Sequence, residues 1–170
     1  MRALLRLELT SGIGDGRRLL EVREAHNSVM QAGADLIARL FAGQGTPITH
    51  MGVGTSAAPE SDQFDTAGLR NEAVGDVPPL DGPVEAALPA DAFTFAVDAT
   101  RRVVTVRIRG SLPDAAAVGI VREAGLLARS DADVRLYNRV TFAPIEKGAD
   151  HDLTMFWEVS FPYGDIQWLM

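Results

Sequence analysis

Apolar residues occupy every second position at the start of the chain. In "RALLRLELT" the odd-numbered positions from Ala3 to Leu9 are apolar and the intervening ones are mostly polar, a period of two that is typical of a half-buried β-strand. The following segment "SGIGDG" is dense in turn residues, and the alternation resumes through residues 17–25. The pattern predicts a β-hairpin over residues 1–25.

The apolar spacing then changes to that of a helix. One stripe is formed by Met30, Ala34, Ile37 and Phe41, with Gly33, Leu36 and Leu40 beside it. Asn27 or Ser28 offers an N-cap, and "AGQG" at residues 42–45 supplies a stop. We therefore predict one helix, over residues 28–42.

Short apolar or alternating runs recur through the rest of the chain. Predicted strands cover residues 47–55, 93–97, 104–108, 134–142 and 153–161, and an apolar run at 120–128 brings the total with the hairpin to seven or eight. Turn residues lie at 98–102 and 143–152, whereas residues 75–91 contain four prolines and predict a long surface connection. The last strand is predicted to face the core with Leu153, Met155, Trp157, Val159 and Phe161.

These elements predict a mainly β fold, an antiparallel β-sandwich or jelly-roll-like barrel with one N-terminal α-helix. The length of 170 residues fits one domain, residues 1–170, that ends in a tail at residues 162–170. Because 46% of the residues are hydrophobic and 23% are charged, the composition is that of an ordinary globular chain.

Charge and cysteine content exclude several kinds of chemistry. The formal net charge of −7 makes nucleic acid a poor default partner, because an acidic surface repels phosphates. The absence of cysteine removes disulfides, thiolate metal sites and cysteine nucleophiles. No apolar run is long enough for a transmembrane helix, and the N-terminal run is too short for a signal peptide, so we expect a cytoplasmic site of synthesis.

The stretch "THMGVGTSAAPESDQFDTAGLRNEAV" at residues 49–74 is the densest in candidate chemistry. Its Gly-x-Gly lacks the third glycine, the following helix and the lysine that a phosphate loop requires. Asp62, Asp65 and Glu72 do not follow the calcium-loop pattern, and the three histidines His26, His50 and His151 are scattered. No metal or cofactor is therefore expected.

Catalytic groups are equally hard to assemble. No Gly-x-Ser-x-Gly elbow occurs among the loop serines. Glu72 and Glu123 could pair as acid and base, but we expect them to be partners of Arg70, Arg122 or Arg139 that hold loops by charged hydrogen bonds. We predict that the protein is not an enzyme, with no catalytic residues.

The order of several segments is more informative than any one of them. In sequence come "HNSVMQAGADLIARLFAG", "PITHMGVGTS", "DTAGLRNEAV", "VVTVRIRG", "VREAGLLA" and "NRVTFAPIEKGADHDLTMFWEVSF". This series, from His26 to Phe161, resembles a family of small structural proteins of bacteriophage tails and prophage-derived contractile injection systems. The chain departs from that family at Ser56, where a glycine is usual, and in the connection at residues 76–91.

The resemblance implies a non-enzymatic component at the baseplate or a fibre attachment site. It implies partners among other particle proteins and self-association in a symmetric assembly, with synthesis in the bacterial cytoplasm before incorporation. In this interpretation the loop after "VGTS" is architectural, packing back on the sheet through Leu69. Candidate subunit contacts are Arg70, Glu72 and the apolar tail residues Ile166, Trp168, Leu169 and Met170.

Two other interpretations remain open. The fold class and the aromatic residues Tyr137 and Phe156, which we expect to be exposed, also fit a carbohydrate- or receptor-binding sandwich. An uncharacterised hydrolase is the third alternative, and fold analogy alone does not decide among them.

Overall fold

The structure is a computed structural model that describes residues 2–12, 16–131 and 133–164. It contains two five-stranded antiparallel sheets and one α-helix, so the predicted mainly β, sandwich-like fold is confirmed. The strands are β1 (Arg2–Ser11), β2 (Arg18–His26), β3 (Ser28–Val29), β4 (His50–Gly54), β5 (Glu85–Ala87), β6 (Phe93–Asp98), β7 (Val103–Leu112), β8 (Gly119–Arg129), β9 (Val134–Lys147) and β10 (His151–Pro162). The helix α1 spans Gln31–Leu40.

The first sheet has the strand order β2-β1-β10-β7-β6. The predicted N-terminal hairpin is confirmed as β1 paired with β2, and the predicted pair across residues 98–102 as β6 with β7. Strand β10 lies between β1 and β7, so the first and last described strands are neighbours, with Leu5 opposite Trp157.

The second sheet has the order β3-β9-β8-β4-β5. Core side chains from both sheets form one hydrophobic cluster, in which Leu5, Leu7 and Trp157 of the first sheet meet Val121 and Leu126 of the second. Of the five residues predicted to face inward from the last strand, Leu153 to Val159 are buried as predicted, and Phe161 is half-buried against the core. The apolar period of two therefore located the core face of the last strand.

The second sheet is covered on both faces, which explains the continuous apolar run in β8. Residues 123–128 are all buried. Leu126 packs in the main core, whereas Leu127 packs on the other face in a smaller cluster with Met30, Leu136 and Leu69. A strand buried on both faces has no polar face to show, so its sequence does not alternate.

The helix is shorter than predicted, and it buries Gly33 and Leu36 instead of the predicted stripe that ends at Phe41. Its N-cap is Met30, without a side-chain cap, and not Asn27 or Ser28, because the preceding residues form β3. Phe41 is 91% exposed and lies past the helix, so it does not belong to the buried stripe. The helix packs closely on β9 at Gly33, where a Cβ would overlap the Tyr137 carbonyl oxygen. The predicted stop is confirmed, with Gly43 in the left-handed region at φ 67°.

Two predicted connections contain more structure than expected. Residues 75–91 include β5, an edge strand on β4, and bury Leu80 and Leu88. The turn predicted at residues 143–152 is only three residues long, since β9 continues to Lys147 and β10 begins at His151. Pro144 does not end β9, because it lies between Thr141 and Ile145, where the pairing with β8 shifts register and a proline is tolerated.

Candidate functional site

The loop that follows β4 packs back on the second sheet, as the sequence predicted. Thr55 directly follows the strand, and its amide donates to the Arg70 carbonyl at 2.8 Å. Its hydroxyl donates to the Glu72 carbonyl at 2.6 Å and accepts from the Glu72 amide at 3.1 Å. One buried threonine thus holds the far end of the loop against the strand exit.

A buried ion pair lies beneath this loop. Glu123 of β8 is fully buried and Arg139 of β9 is 4% exposed. The Arg139 Nε donates to Glu123 Oε2 at 2.5 Å, and the other carboxylate oxygen accepts the Arg70 amide at 2.6 Å. The expectation that Glu123 would bind an arginine is therefore confirmed, with Arg139 as the side-chain partner.

The same guanidinium holds the first half of the loop. Its Nη1 donates to the Ala58 carbonyl at 2.9 Å and to the carboxylate of Glu60, and its Nη2 donates to Ser56 Oγ at 3.3 Å. Burial opposes the charge on Arg139, but the hydrogen bonds that it donates to Glu60 and Glu123 outweigh that effect and raise its pKa. The side chain is therefore a permanent cation that is paired and desolvated.

We call Thr55, Glu60, Glu123 and Arg139 the loop clamp. Its arrangement explains the glycine that suggested a phosphate loop, because a Cβ on Gly54 would overlap both Glu123 Oε1 and the Arg70 carbonyl oxygen. Both Glu123 oxygens are occupied and the residue has no access to solvent. The clamp is thus suited to holding backbone in place, and not to accepting a proton from a substrate.

The structure describes two of the six proposed subunit-contact residues. Arg70 and Glu72 are exposed residues of the loop, and the bonds that fix them to the sheet come from their backbone atoms, not from their side chains as expected. Their exposed side chains remain candidate contacts. The four apolar tail residues Ile166, Trp168, Leu169 and Met170 lie outside the described residues.

A buried lysine that the sequence did not single out fixes a second turn. Lys147 is 1% exposed, and its Nζ donates to the carbonyls of Pro113 and Asp114 at 2.9 Å each. Burial lowers its pKa, although the Asp114 and Asp150 carboxylates oppose that shift. The sequence signal for its burial is the spacing of two residues from the buried Ile145. That spacing predicts an inward lysine only if the strand is taken to continue past Pro144.

A groove that includes an aromatic side chain lies on the outer face of the first sheet. It has a volume of 440 Å³ and includes Arg6, Arg109 and Phe156 in its lining. Register places Phe156 between Arg6 on β1 and Arg109 on β7, and the Arg109 guanidinium carbon lies 5.8 Å from the ring centroid. Arg107 and Glu158 beside them form an ion pair at 3.0 Å.

The other aromatic side chain of the binding-module alternative does not lie on the surface. Tyr137 is 2% exposed, and burial raises its pKa to about 12. Its side chain belongs to the main hydrophobic core, whereas that of the preceding Leu136 lies in the smaller cluster. The expectation that Tyr137 is an exposed aromatic was therefore wrong, and only Phe156 is placed to contact a ligand.

Within the described part of the chain, no three or more His, Cys, Asp or Glu residues are grouped to hold a metal ion. No helix in that part is long and apolar enough to cross a membrane. Comparison of the chain with protein-family models, with curated proteins and with solved structures found no match.

Proposed function

We propose that this protein is a non-enzymatic structural or adaptor component of a phage tail or contractile injection particle, at the baseplate or a fibre attachment site. The proposal starts from the order of motifs between His26 and Phe161. Its structural support is that residues from several of those motifs are hydrogen-bonded to one another in the fold.

The observation that carries the proposal is the convergence of separate motifs on the loop clamp and on Arg70, whose backbone the clamp holds. Thr55 comes from "VGTS", Arg70 from "LRNEAV", Glu123 from "EAGL" and Arg139 from "NRVTF". These residues are joined by direct hydrogen bonds, each of which fixes backbone or a buried charge. Motif residues whose bonds fix the backbone or neutralise a buried charge support an architectural role.

The location of the protein tests the proposal. Particles purified from the producing bacterium by density gradient should contain the protein in a fixed ratio to the other components, measured by quantitative mass spectrometry. Labelled antibody should mark one site on the particle in electron micrographs. Absence from intact particles, together with normal particles from a strain that lacks the gene, would refute the proposal.

The groove at Phe156 favours glycan binding as a second candidate function. An aromatic ring offers a stacking surface for the apolar face of a sugar, and the neighbouring Arg107 and Glu158 can pair with adjacent hydroxyls. The groove volume of 440 Å³ lies within the range of small-ligand sites.

Saturation-transfer NMR with a panel of bacterial-surface oligosaccharides tests this candidate. Phe156→Ala should abolish the transfer signal, whereas Phe41→Ala, at an exposed aromatic outside the groove, should leave it unchanged. A signal that survives Phe156→Ala, or no signal from any glycan with the wild-type chain, would eliminate the groove as a sugar site.

A further inference from the structure

The four edge strands of the two sheets differ in how they are protected from pairing. In the second sheet, β3 has two residues and β5 has three, so neither offers a long template. In the first sheet, four of the nine residues of β2 are charged, and its pairing with β1 is irregular at Leu9. Short, charged or irregular edges are the usual means by which proteins prevent edge-to-edge association.

Strand β6 lacks most of these protections, since its one charged residue, Asp98, is its last. Its six residues, "FTFAVD", contain no lysine, arginine or proline, and the register with β7 is regular. It pairs with β7 on one side, and no strand among those the structure describes pairs with the other. Such an edge is a template for an added strand.

The two large apolar side chains that β6 exposes lie on one face. Phe95 is 72% exposed and Val97 is 69% exposed. They lie opposite Val106 and Val104 of β7, which are half-buried. The apolar surface therefore continues from the edge into the sheet, as expected of a surface that another sheet extends.

The sequence of β6 is self-complementary in an antiparallel pair centred on Phe95. In that register Phe95 faces Phe95 of the second copy, and Phe93 faces Val97 on the same side. Aromatic pairs and pairs of an aromatic with a β-branched residue are favourable across strands, and Asp98 falls opposite Ala92 instead of a like charge. A partner with the same sequence thus covers the exposed side chains that the edge leaves open.

We propose that β6 pairs with β6 of a second copy of this chain about a two-fold axis at Phe95, joining two five-stranded sheets into one of ten strands. This inference rests on the proposed function, for which it specifies the contact between subunits. A six-residue edge is small beside the roughly 1,200–2,000 Å² of a stable interface. The pair should therefore be weak in dilute solution and stronger where many copies are held together.

A single cysteine at the axis tests the contact directly, because the chain has no native cysteine. Phe95→Cys should form a disulfide-linked dimer under mild oxidation, since directly opposed residues have the Cα separation that a disulfide needs. Phe41→Cys is the control, with an exposed position on another element. Cross-linking of Phe95→Cys no faster than that of Phe41→Cys would overturn the inference.

Sedimentation velocity over a wide concentration range gives the independent measurement. The wild-type chain and Phe41→Lys should show a monomer–dimer equilibrium, and Phe95→Lys should remain monomeric with an unchanged melting temperature, because it places like charges opposite each other. A dimer that persists in Phe95→Lys, or a wild-type chain that stays monomeric throughout, would overturn the inference.

Experiments on purified particles distinguish failure of the β6 contact from failure of the proposed function. If the wild-type chain is found in particles but Phe95→Cys does not cross-link there, the β6 contact is wrong while the proposed function stands. If Phe95→Lys is lost from particles although the purified wild-type chain is monomeric, β6 binds a different protein, and the second copy is excluded.

Discussion

Replacing Arg139 with methionine tests whether the loop clamp holds the fold together. The substitution keeps most of the side-chain volume but removes the partner of Glu123, which is fully buried. Leaving one member of a buried ion pair without its partner costs about 3–5 kcal/mol. It also removes the bonds to Ala58 and Ser56 that hold the first half of the loop.

For a chain of this size, that loss lowers the melting temperature by about 6–20 °C. The assay is thermal and urea unfolding followed by circular dichroism. The matched control is Arg135→Met on the same strand, whose ion pairs with Asp35 and Asp133 are exposed. Exposed pairs contribute about 0–1 kcal/mol, so the control should unfold within a few degrees of the wild type.

A double variant gives a second signature of the same defect. Adding Glu123→Gln to Arg139→Met should partly restore stability at pH 7, because a neutral amide costs less to bury than an unpaired carboxylate. Equal stability of Arg139→Met and Arg135→Met at pH 7 would refute the clamp.

Four other predictions concern the core, the helix, alkaline stability and the tail. Trp157→Ala should cost about 3–5 kcal/mol, since the indole is 1% exposed, and an unchanged melt would contradict its place in the core. Gly33→Ala should weaken the contact of α1 with β9, because the added Cβ overlaps a backbone carbonyl, and amide exchange in α1 should accelerate; unchanged exchange would contradict that contact. Burial raises the pKa of Tyr137 to about 12, so its contribution to stability is complete below the unfolded pKa of about 10 and should fall by about 1.4 kcal/mol per pH unit up to the folded pKa. Tyr137→Phe should flatten the alkaline unfolding curve in that window, and an unaltered slope would show that another group controls it. Deleting residues 165–170 should leave the described fold intact while abolishing assembly, and unfolding of the shortened chain would assign the tail to the core.

The sequence located the strands better than it located what covers them. Alternation identified β1 and β10, because each buries one face and turns the other toward solvent. It also identified β2, β6 and β7, although the inward faces of β2 and β6 are only partly covered. It could not show that the loop after β4 and the start of α1 cover the outer face of the second sheet. That covering is a long-range contact, and it explains why Leu127 and Leu136 are buried.

The sequence predicted a charged pair at the candidate site but not which residues form it. Residue types suggested that Glu123 would bind an arginine, and the structure selects Arg139 because β8 and β9 are paired neighbours. Glu60 and Thr55 could not be assigned to the same cluster, since they reach it through an irregular loop. The exposure of Phe95 was equally hidden, because alternation marks its face as inward while the strand order places it at an edge.

The place of β10 between β1 and β7 has a consequence for how the chain folds during synthesis. The two hairpins of the first sheet, β1 with β2 and β6 with β7, have no direct pairing with each other and are joined only by β10. Because β10 is synthesised after every other described strand, the first sheet cannot close until it leaves the ribosome. Until then the inner faces of both hairpins, including Leu5, Leu7 and Ile108, lack their central neighbour. Contacts between such distant segments form slowly, and open hairpin edges are prone to associate with other chains. A nascent chain stalled before residue 151 should therefore depend on chaperones far more than the finished protein does.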